Sequence, residues 1–329
     1  MTANYYLGVD IGNTKSHALV SDSEGKVVSF AKAGHGNHER LGFEGYARVI
    51  QELIMDVLQK SALEPGDLSG SGFGIAGYDW PSQYTPLMNA IKTFDLGGET
   101  VMVNDTLIGL AAGAPKGWGI GLVAGTGSNC WGMTECGILG RMTGLSHLMD
   151  EGGGASHIVL WAVQAIGRAW TKRGPRTLLT ETFMNRFNEQ EEVVLLERLS
   201  QQESWVDPSL APLVIETARQ GDEAALEVIA HAVESLSSMC WGVARQLDLL
   251  EKQVDVVLIG SVFNAGDIII DPLREAIKKE IPGANLIKLD TPPVVGGVLM
   301  AMKSAGAELS GDALLALKQA ARQVADEHD

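Results

Sequence analysis

The chain predicts an α/β fold of two similar halves facing each other across a cleft, and three observations carry that expectation. A strand, a small polar turn, a second strand, a tight turn and a third strand occur in succession near the N-terminus. The same plan recurs about a hundred residues downstream, which is the mark of an internal repeat. Elsewhere short apolar strands alternate with helical spacings, as parallel sheets covered by helices require. Finally, 329 residues with 45% apolar content suffice for roughly two domains with a large core. The expected division is residues 1–116 and 117–329.

The elements follow in order. Tyr6 to Ile11 reads as a strand, Gly12 to Ser16 as a Gly/Thr/Ser turn, and Ala18 to Val20 as the returning strand. Asp22-Ser-Glu-Gly25-Lys26 is a hairpin turn leading to a third strand, Val27 to Ala31. Apolar residues at Tyr46, Val49, Ile50, Leu53, Ile54 and Val57 keep helical spacing over 43–60. Ser71 to Ala76 is a strand, Tyr84 to Phe94 a helix, Thr100 to Asp105 a strand, and Ile108 begins another helix. The repeat opens with strand Ile120 to Ala124, turn Gly125 to Ser128, strand Cys130 to Thr134, a turn at Gly137 and strand Ile138 to Arg141. Helices are expected over 157–170 and 225–250, with a polar, surface helical insertion around 174–208. Val254 to Ile259 and Asn285 to Leu289 are strands, Val294 opens a helix, and Asp312 to Ala325 is a last helix that either half could receive.

Composition excludes several functions. A net charge of −16, with no Lys/Arg-rich run, is the wrong footprint for nucleic acid. Cys130, Cys136 and Cys240 are odd in number and lack CxxC spacing, so reduced thiols are expected rather than a disulfide framework or zinc site. The opening residues do not read as a signal peptide, and the longest uncharged run, Gly117 to Thr134, is too glycine-rich and polar to span a membrane. A cytoplasmic protein without membrane contact is the expectation.

The two glycine-rich turns are the first candidates for chemistry. Glycine permits positive φ and removes the side chain, so successive backbone N–H groups can gather round an anion such as phosphate. The same residues also suit an ordinary hairpin turn. Asp10 ends the first strand just before Gly12 and Thr14; a carboxylate there suits a hydrated magnesium ion or a turn cap. Asp105 ends another strand, where it could serve as a base beside an attacking hydroxyl or cap the helix that follows. Asn37 and Asn129 offer donors and acceptors for a hydroxylated or acetamido ligand, or simply stabilise turns. His17, His147 and His157 have no metal-ligand spacing and read as structural.

Five stretches, in this order, resemble the superfamily of sugar kinases, actin and heat-shock-protein ATPases. They are Asp10 to Lys15, Val103-Asn-Asp105, Gly125 to Ser128, Val257 to Asn264, and Pro293-Val-Val-Gly296-Gly297-Val. The resemblance implies two duplicated ribonuclease-H-like (actin-like) domains clasping ATP. Gly12, Asn13, Thr14, Lys15, Thr126 and Gly127 would then bind its phosphates, with Gly260, Ser261 and Asn264 toward the adenosine. Asp10 would hold Mg2+, and Gly296-Gly297 would approach the nucleotide.

Finer detail resembles the N-acetylglucosamine kinases and their relatives, the ATPases that activate benzoyl-CoA reductase and 2-hydroxyacyl-CoA dehydratase. The carriers are Gly125-Thr-Gly-Ser-Asn129-Cys130, Gly34-His-Gly-Asn37-His38 and Met149-Asp150-Glu151-Gly152. By that resemblance Asp105 is the catalytic base, and Asn37, His38, Asn129, Cys130, Gly144, Leu145 and Asp150 meet the sugar. The implied reaction is ATP-dependent phosphorylation of an amino sugar's 6-hydroxyl, with N-acetylglucosamine first. Glucosamine, muramic acid derivatives or glucose are alternative acceptors, and an activator ATPase is the alternative class; a homodimer stays open. Two departures stand out: Gly144-Leu145-Ser146 replaces the kinases' Gly-Trp-Gly, and Glu39 follows Asn37-His38 where vertebrate-type kinases carry tryptophan. Activators also hold an iron–sulfur cluster on two cysteines per subunit. Here Cys130 lies in a phosphate-type turn, Cys136 in a hairpin and Cys240 mid-helix, which leaves no convincing pair.

Overall fold

The computed structural model describes residues 4–201 and 207–328; positions 202–206 of the expected insertion, and the first three residues, lie outside them. The first half begins with strands β1 (Tyr5–Ile11), β2 (Lys15–Asp22) and β3 (Val27–Gly34), joined antiparallel. Helix α1 (His38–Ser61) follows, capped by the Asn37 side chain, which accepts from the Glu39 N–H. Next come β4 (Leu68–Ile75), α2 (Pro81–Lys92) and β5 (Glu99–Asn104), giving a sheet of order β3-β2-β1-β4-β5. Helix α3 (Asp105–Gly113) crosses to the second half. Asn104 caps α3, its side chain accepting from the Thr106 N–H at 2.9 Å, so Asp105 is the first helical residue and not the cap.

The second half repeats the plan. Strands β6 (Gly119–Ala124), β7 (Ser128–Met133) and β8 (Leu139–Arg141) are again an antiparallel meander. Helices α4 (Ala155–Trp170), α5 (Leu178–Phe187), α6 (Glu192–Ser200), α7 (Ala211–Arg219) and α8 (Glu223–Gln246) then lead to β9 (Val254–Ile259). After α9 (Asp267–Glu280) and β10 (Ala284–Lys288), the sheet order is β10-β9-β6-β7-β8. Read from the meander outward, the two sheets share one topology, the duplication expected of actin-like domains. The α5–α6 region is helical as expected, but it is no surface appendage: Leu179, Phe183 and Leu195 are fully buried in the second core. Helices α7 and α9 answer no expectation from the sequence.

Two further helices, α10 (Val294–Ser304) and α11 (Gly311–His328), return the chain to the first sheet. Side chains alternate across a strand, so Leu7, Val9 and Ile11 of β1 face the core under α1 and α2. Tyr6, Gly8 and Asp10 take the opposite face. There Tyr6 packs with α10 residues and with Leu317, Ala321 and Ala325 of α11, which settles where the last helix docks. Gly8 lets the backbone of α10 approach: a Cβ at Gly8 would stand 2.3 Å from the Val294 carbonyl oxygen. Gly296 and Gly297 serve the same close packing, against α3 at the Ile108 carbonyl and against Gly72 of β4. Their small size permits this close helix packing. Helix α3 is thus enclosed, meeting α10 on one side and Gly121 of β6 on the other.

Candidate active site

The two polar turns meet. Each follows the first strand of its meander, so the pseudo-repeat aims both into the space between the sheets. Thr14 and Thr126 stand 3.4 Å apart, hydroxyl to hydroxyl. Around them lies a cleft of about 350 Å³ lined by both turns, including Gly12 to Lys15 and Gly125 to Asn129, and by Asp105. The second turn is braced by the start of α4, whose Ala155 and Ser156 N–H groups donate to the carbonyls of Gly125 and Thr126 at 2.8 and 3.0 Å. The Ser128 hydroxyl ties it to the carbonyls of Glu151 and Gly152.

Carboxyls cluster beside the turns. Asp10, at the end of β1, and Asp105, at the start of α3, are half-buried. Strand alternation puts Asp10 on the face that meets α3. Burial pushes the Asp10 carboxyl up to about 7, against the pull of the Lys15 charge. Burial pushes Asp105 up to about 8, and the charges of Asp10 and Asp79 add to it. A magnesium ion fits this pair: it binds one or two carboxylates and keeps waters and phosphates as its other ligands. No group of three or more His, Cys, Asp or Glu able to hold a metal ion is present among the described residues.

The expected residues divide by position. Gly12, Asn13, Thr14, Lys15, Asn37, Asp105, Thr126, Gly127, Asn129 and Gly144 line the cleft. Asn37 donates to the Asn13 side chain at 2.7 Å, joining the cap of α1 to the first turn. Gly260 stands one strand over, its φ of 113° set by the approach of the Ala124 carbonyl, with Ser261 and Asn264 exposed beyond it and outside the lining. Asp10 lies just behind the lining. Four expected sugar contacts are not brought in. His38 is buried and stacked on Phe43 at 5.1 Å, and burial lowers its pKa. Cys130 points into the second core beside Cys240, and burial holds its thiol up. Leu145 and Asp150 are exposed on the loop past Gly144 and do not reach the lining. His17 and His157 are buried near Phe30 and Trp161, in keeping with structural roles; the His147 side chain lies outside the described residues.

The sequence reading missed Asp79, Glu39 and Arg40, all of which line the cleft. Asp79 is only 5% exposed, and its Oδ1 accepts from the side chains of Asn104, Asn129 and Trp131 at 3.2, 3.0 and 3.4 Å. Burial raises it to about 6; hydrogen bonds from Asn129 and Trp131 and the Arg141 charge lower it, while Glu39 raises it. A signal was present: Ala76-Gly77-Tyr78-Asp79 sets glycine and a carboxylate just after a buried strand, as Asp10 stands before Gly12.

A profile of the BadF/BadG/BcrA/BcrD ATPase family matches residues 7–301, and the chain belongs to that family. It is 27% identical over 299 residues to an N-acetylmuramic acid/N-acetylglucosamine kinase of Clostridium acetobutylicum, covering 90% of this chain and 98% of that one. It is 24% identical over 319 residues to the N-acetyl-D-glucosamine kinase of Dictyostelium discoideum, covering 92% and 99%. A solved Chromobacterium violaceum protein proposed to be an N-acetylglucosamine kinase shares the fold, with a TM-score of 0.69 at 20% identity over 91% and 99% of the two chains.

Proposed function

We propose that this member of the ATPase family is an ATP-dependent amino-sugar kinase, transferring the γ-phosphoryl group to the 6-hydroxyl of N-acetylglucosamine. One observation carries the reading: two duplicated polar turns touch at Thr14 and Thr126 in a cleft whose wall holds Asp105. Phosphoryl transfer needs phosphates held by backbone amides, charge neutralisation, and a carboxylate near the attacking hydroxyl. Gly12 to Lys15 and Thr126-Gly127 grip the phosphates, with Lys15 supplying positive charge. Gly260, Ser261 and Asn264 flank the adenosine, and Asp105 accepts the hydroxyl proton. Asp10 would hold Mg2+ when the ion is bound, and the ion would supply the further charge neutralisation that phosphoryl transfer requires. Asn37, Asn129 and Gly144 face the sugar. Cys130 contributes through its backbone, its N–H donating to the Asn129 Oδ1 at 2.8 Å. His38 follows Asn37 at the start of α1, and Leu145 and Asp150 reach the sugar when their loop folds inward.

The names of the curated relatives, which cover nearly their whole length, support the acceptor class. An activator ATPase is disfavoured because Cys130 and Cys240 are buried and only Cys136 is exposed, so no exposed pair can hold a shared cluster. ADP release coupled to a panel of N-acetylglucosamine, glucosamine, N-acetylmuramic acid and glucose tests the proposal. The expected outcome is sugar-dependent release, greatest with N-acetylglucosamine, and a 6-phosphate product. Slow turnover indifferent to every sugar would favour the activator and overturn the kinase.

A further inference from the structure

Among the described residues, Asp79 is the buried carboxylate that ties the two halves together across the cleft, with hydrogen bonds to both sides. It stands four residues past the end of β4, where Gly77 at φ 79° turns the chain. Its N–H donates to Gln83 Oε1 at 2.9 Å, which anchors it to α2. Within the first half, the Asn104 amide donates to its Oδ1, and the same Asn104 caps α3 directly before Asp105. From the second half, Asn129 and Trp131 of β7 donate to that oxygen. The other carboxylate oxygen faces Gly144: a Cβ there would stand 2.4 Å from Oδ2. Along the same seam the Arg141 guanidinium lies over Trp80 of the first half at 4.6 Å and Trp131 of the second at 5.3 Å. A charged acceptor bound by several donors is strong and directional, and more so out of water.

We propose that Asp79 is a positioning residue of the acceptor subsite, clamping Asn129 and Gly144 in fixed register with the Asn104–Asp105 corner. The inference rests on the kinase reading above, in which Asn129 meets the sugar and Asp105 takes its proton. Asp79 acts through Asn129 and the corner of α3; the phosphate turns are braced separately, by α4. Its loss therefore disturbs the sugar side while sparing the nucleotide side.

Steady-state kinetics on Asp79→Ala, Asp79→Asn, Asn129→Ala and the Asp79→Ala/Asn129→Ala double variant test this. In Asp79→Ala, kcat/KM for the sugar should fall on the order of 10²-fold, the scale of a misplaced reacting group, with the KM for ATP within about twofold. Asp79→Asn keeps an oxygen that accepts from Asn129, so it should recover roughly tenfold of that loss. The double variant should lose less than the product of the two single losses, since the two residues share one coupled contact. Additive losses, an equal rise in the KM for ATP, or no rescue by Asn would each overturn the proposal. If the wild type phosphorylates no sugar, the kinase reading fails, and hydrogen exchange of the free protein still judges the clamp. Exchange over 128–133 should quicken in Asp79→Ala and stay near wild type in Asp79→Asn; unchanged exchange in Asp79→Ala overturns the clamp whatever the acceptor.

Discussion

Asp10, Asp79 and Asp105 share one electrostatic difficulty: burial raises all three from the ordinary 3.8, to about 7, 6 and 8. A base at Asp105 must be ionised to work, and a cation beside it assists by stabilising the charged form. Asp105→Asn should cut sugar-dependent turnover by about 10²–10⁴-fold, the scale of a lost general base, with ATP binding held within a few-fold. Turnover near wild type would reduce Asp105 to a helix-start residue. The raised values also set a sign for stability. The folded protein binds these protons more tightly than the unfolded chain, so stability falls as pH rises between the unfolded and folded values. Their contribution is complete below about pH 4 and is lost as the pH climbs through roughly 6 to 8. Without ligand, the Tm should therefore drop between about pH 5 and pH 8.5, and Asp105→Asn should drop less. Calorimetry across that range checks it, and an equal or steeper slope in the variant would contradict the assignment.

The repeated meander is the element that makes the site, because each copy delivers one polar turn at the C-terminal end of its first strand. Hairpins and alternating strands were legible because local residues decide them: Gly25 at φ 83° turns the first hairpin, and Gly137 at φ 81° turns its counterpart. Helix α9 was not legible, since Pro272 interrupts the helical pattern that would have announced it. Helix α10 was found; its glycine pair, expected to approach the nucleotide, packs against α3 and β4. A test separates those roles. A Cβ at Gly296 would stand 1.8 Å from the Ile108 carbonyl oxygen, with backbone on both sides. Gly296→Ala should cost about 1–3 kcal/mol or more by overpacking and lower the urea midpoint. Gly167, in the last turn of α4 with open space at its Cβ, is the control; Gly167→Ala should leave stability unchanged or raise it by up to about 1 kcal/mol. A neutral Gly296→Ala would mean that α3 and α10 can part without loss.

At the scale of the molecule, two sheets of one topology face a cleft, and α3 and α10 form the crossing between them. Kinases close such clefts on their ligands because water otherwise competes for the phosphoryl group. Solution X-ray scattering should show a smaller radius of gyration with an ATP analogue and N-acetylglucosamine together than with either alone. Superimposable curves would mean that the cleft, already bridged at Thr14–Thr126 and Asp79, excludes water without closing. The sequence by itself determined the duplication, the α/β class and the two turns, because strand alternation, glycine turns and helical spacing are written in neighbouring residues. It placed Asn37 and Asn129 among the candidates by their polarity and by the kinase-like segments that carry them. Only the tertiary structure brought Asp79 of one half under Asn129 and Trp131 of the other, buried His38 against Phe43, turned Cys130 into the second core, and docked α11 on the first sheet. Those outcomes depend on which side chains meet across tens to hundreds of residues of chain, and no local pattern encodes a contact whose two partners lie on different sheets.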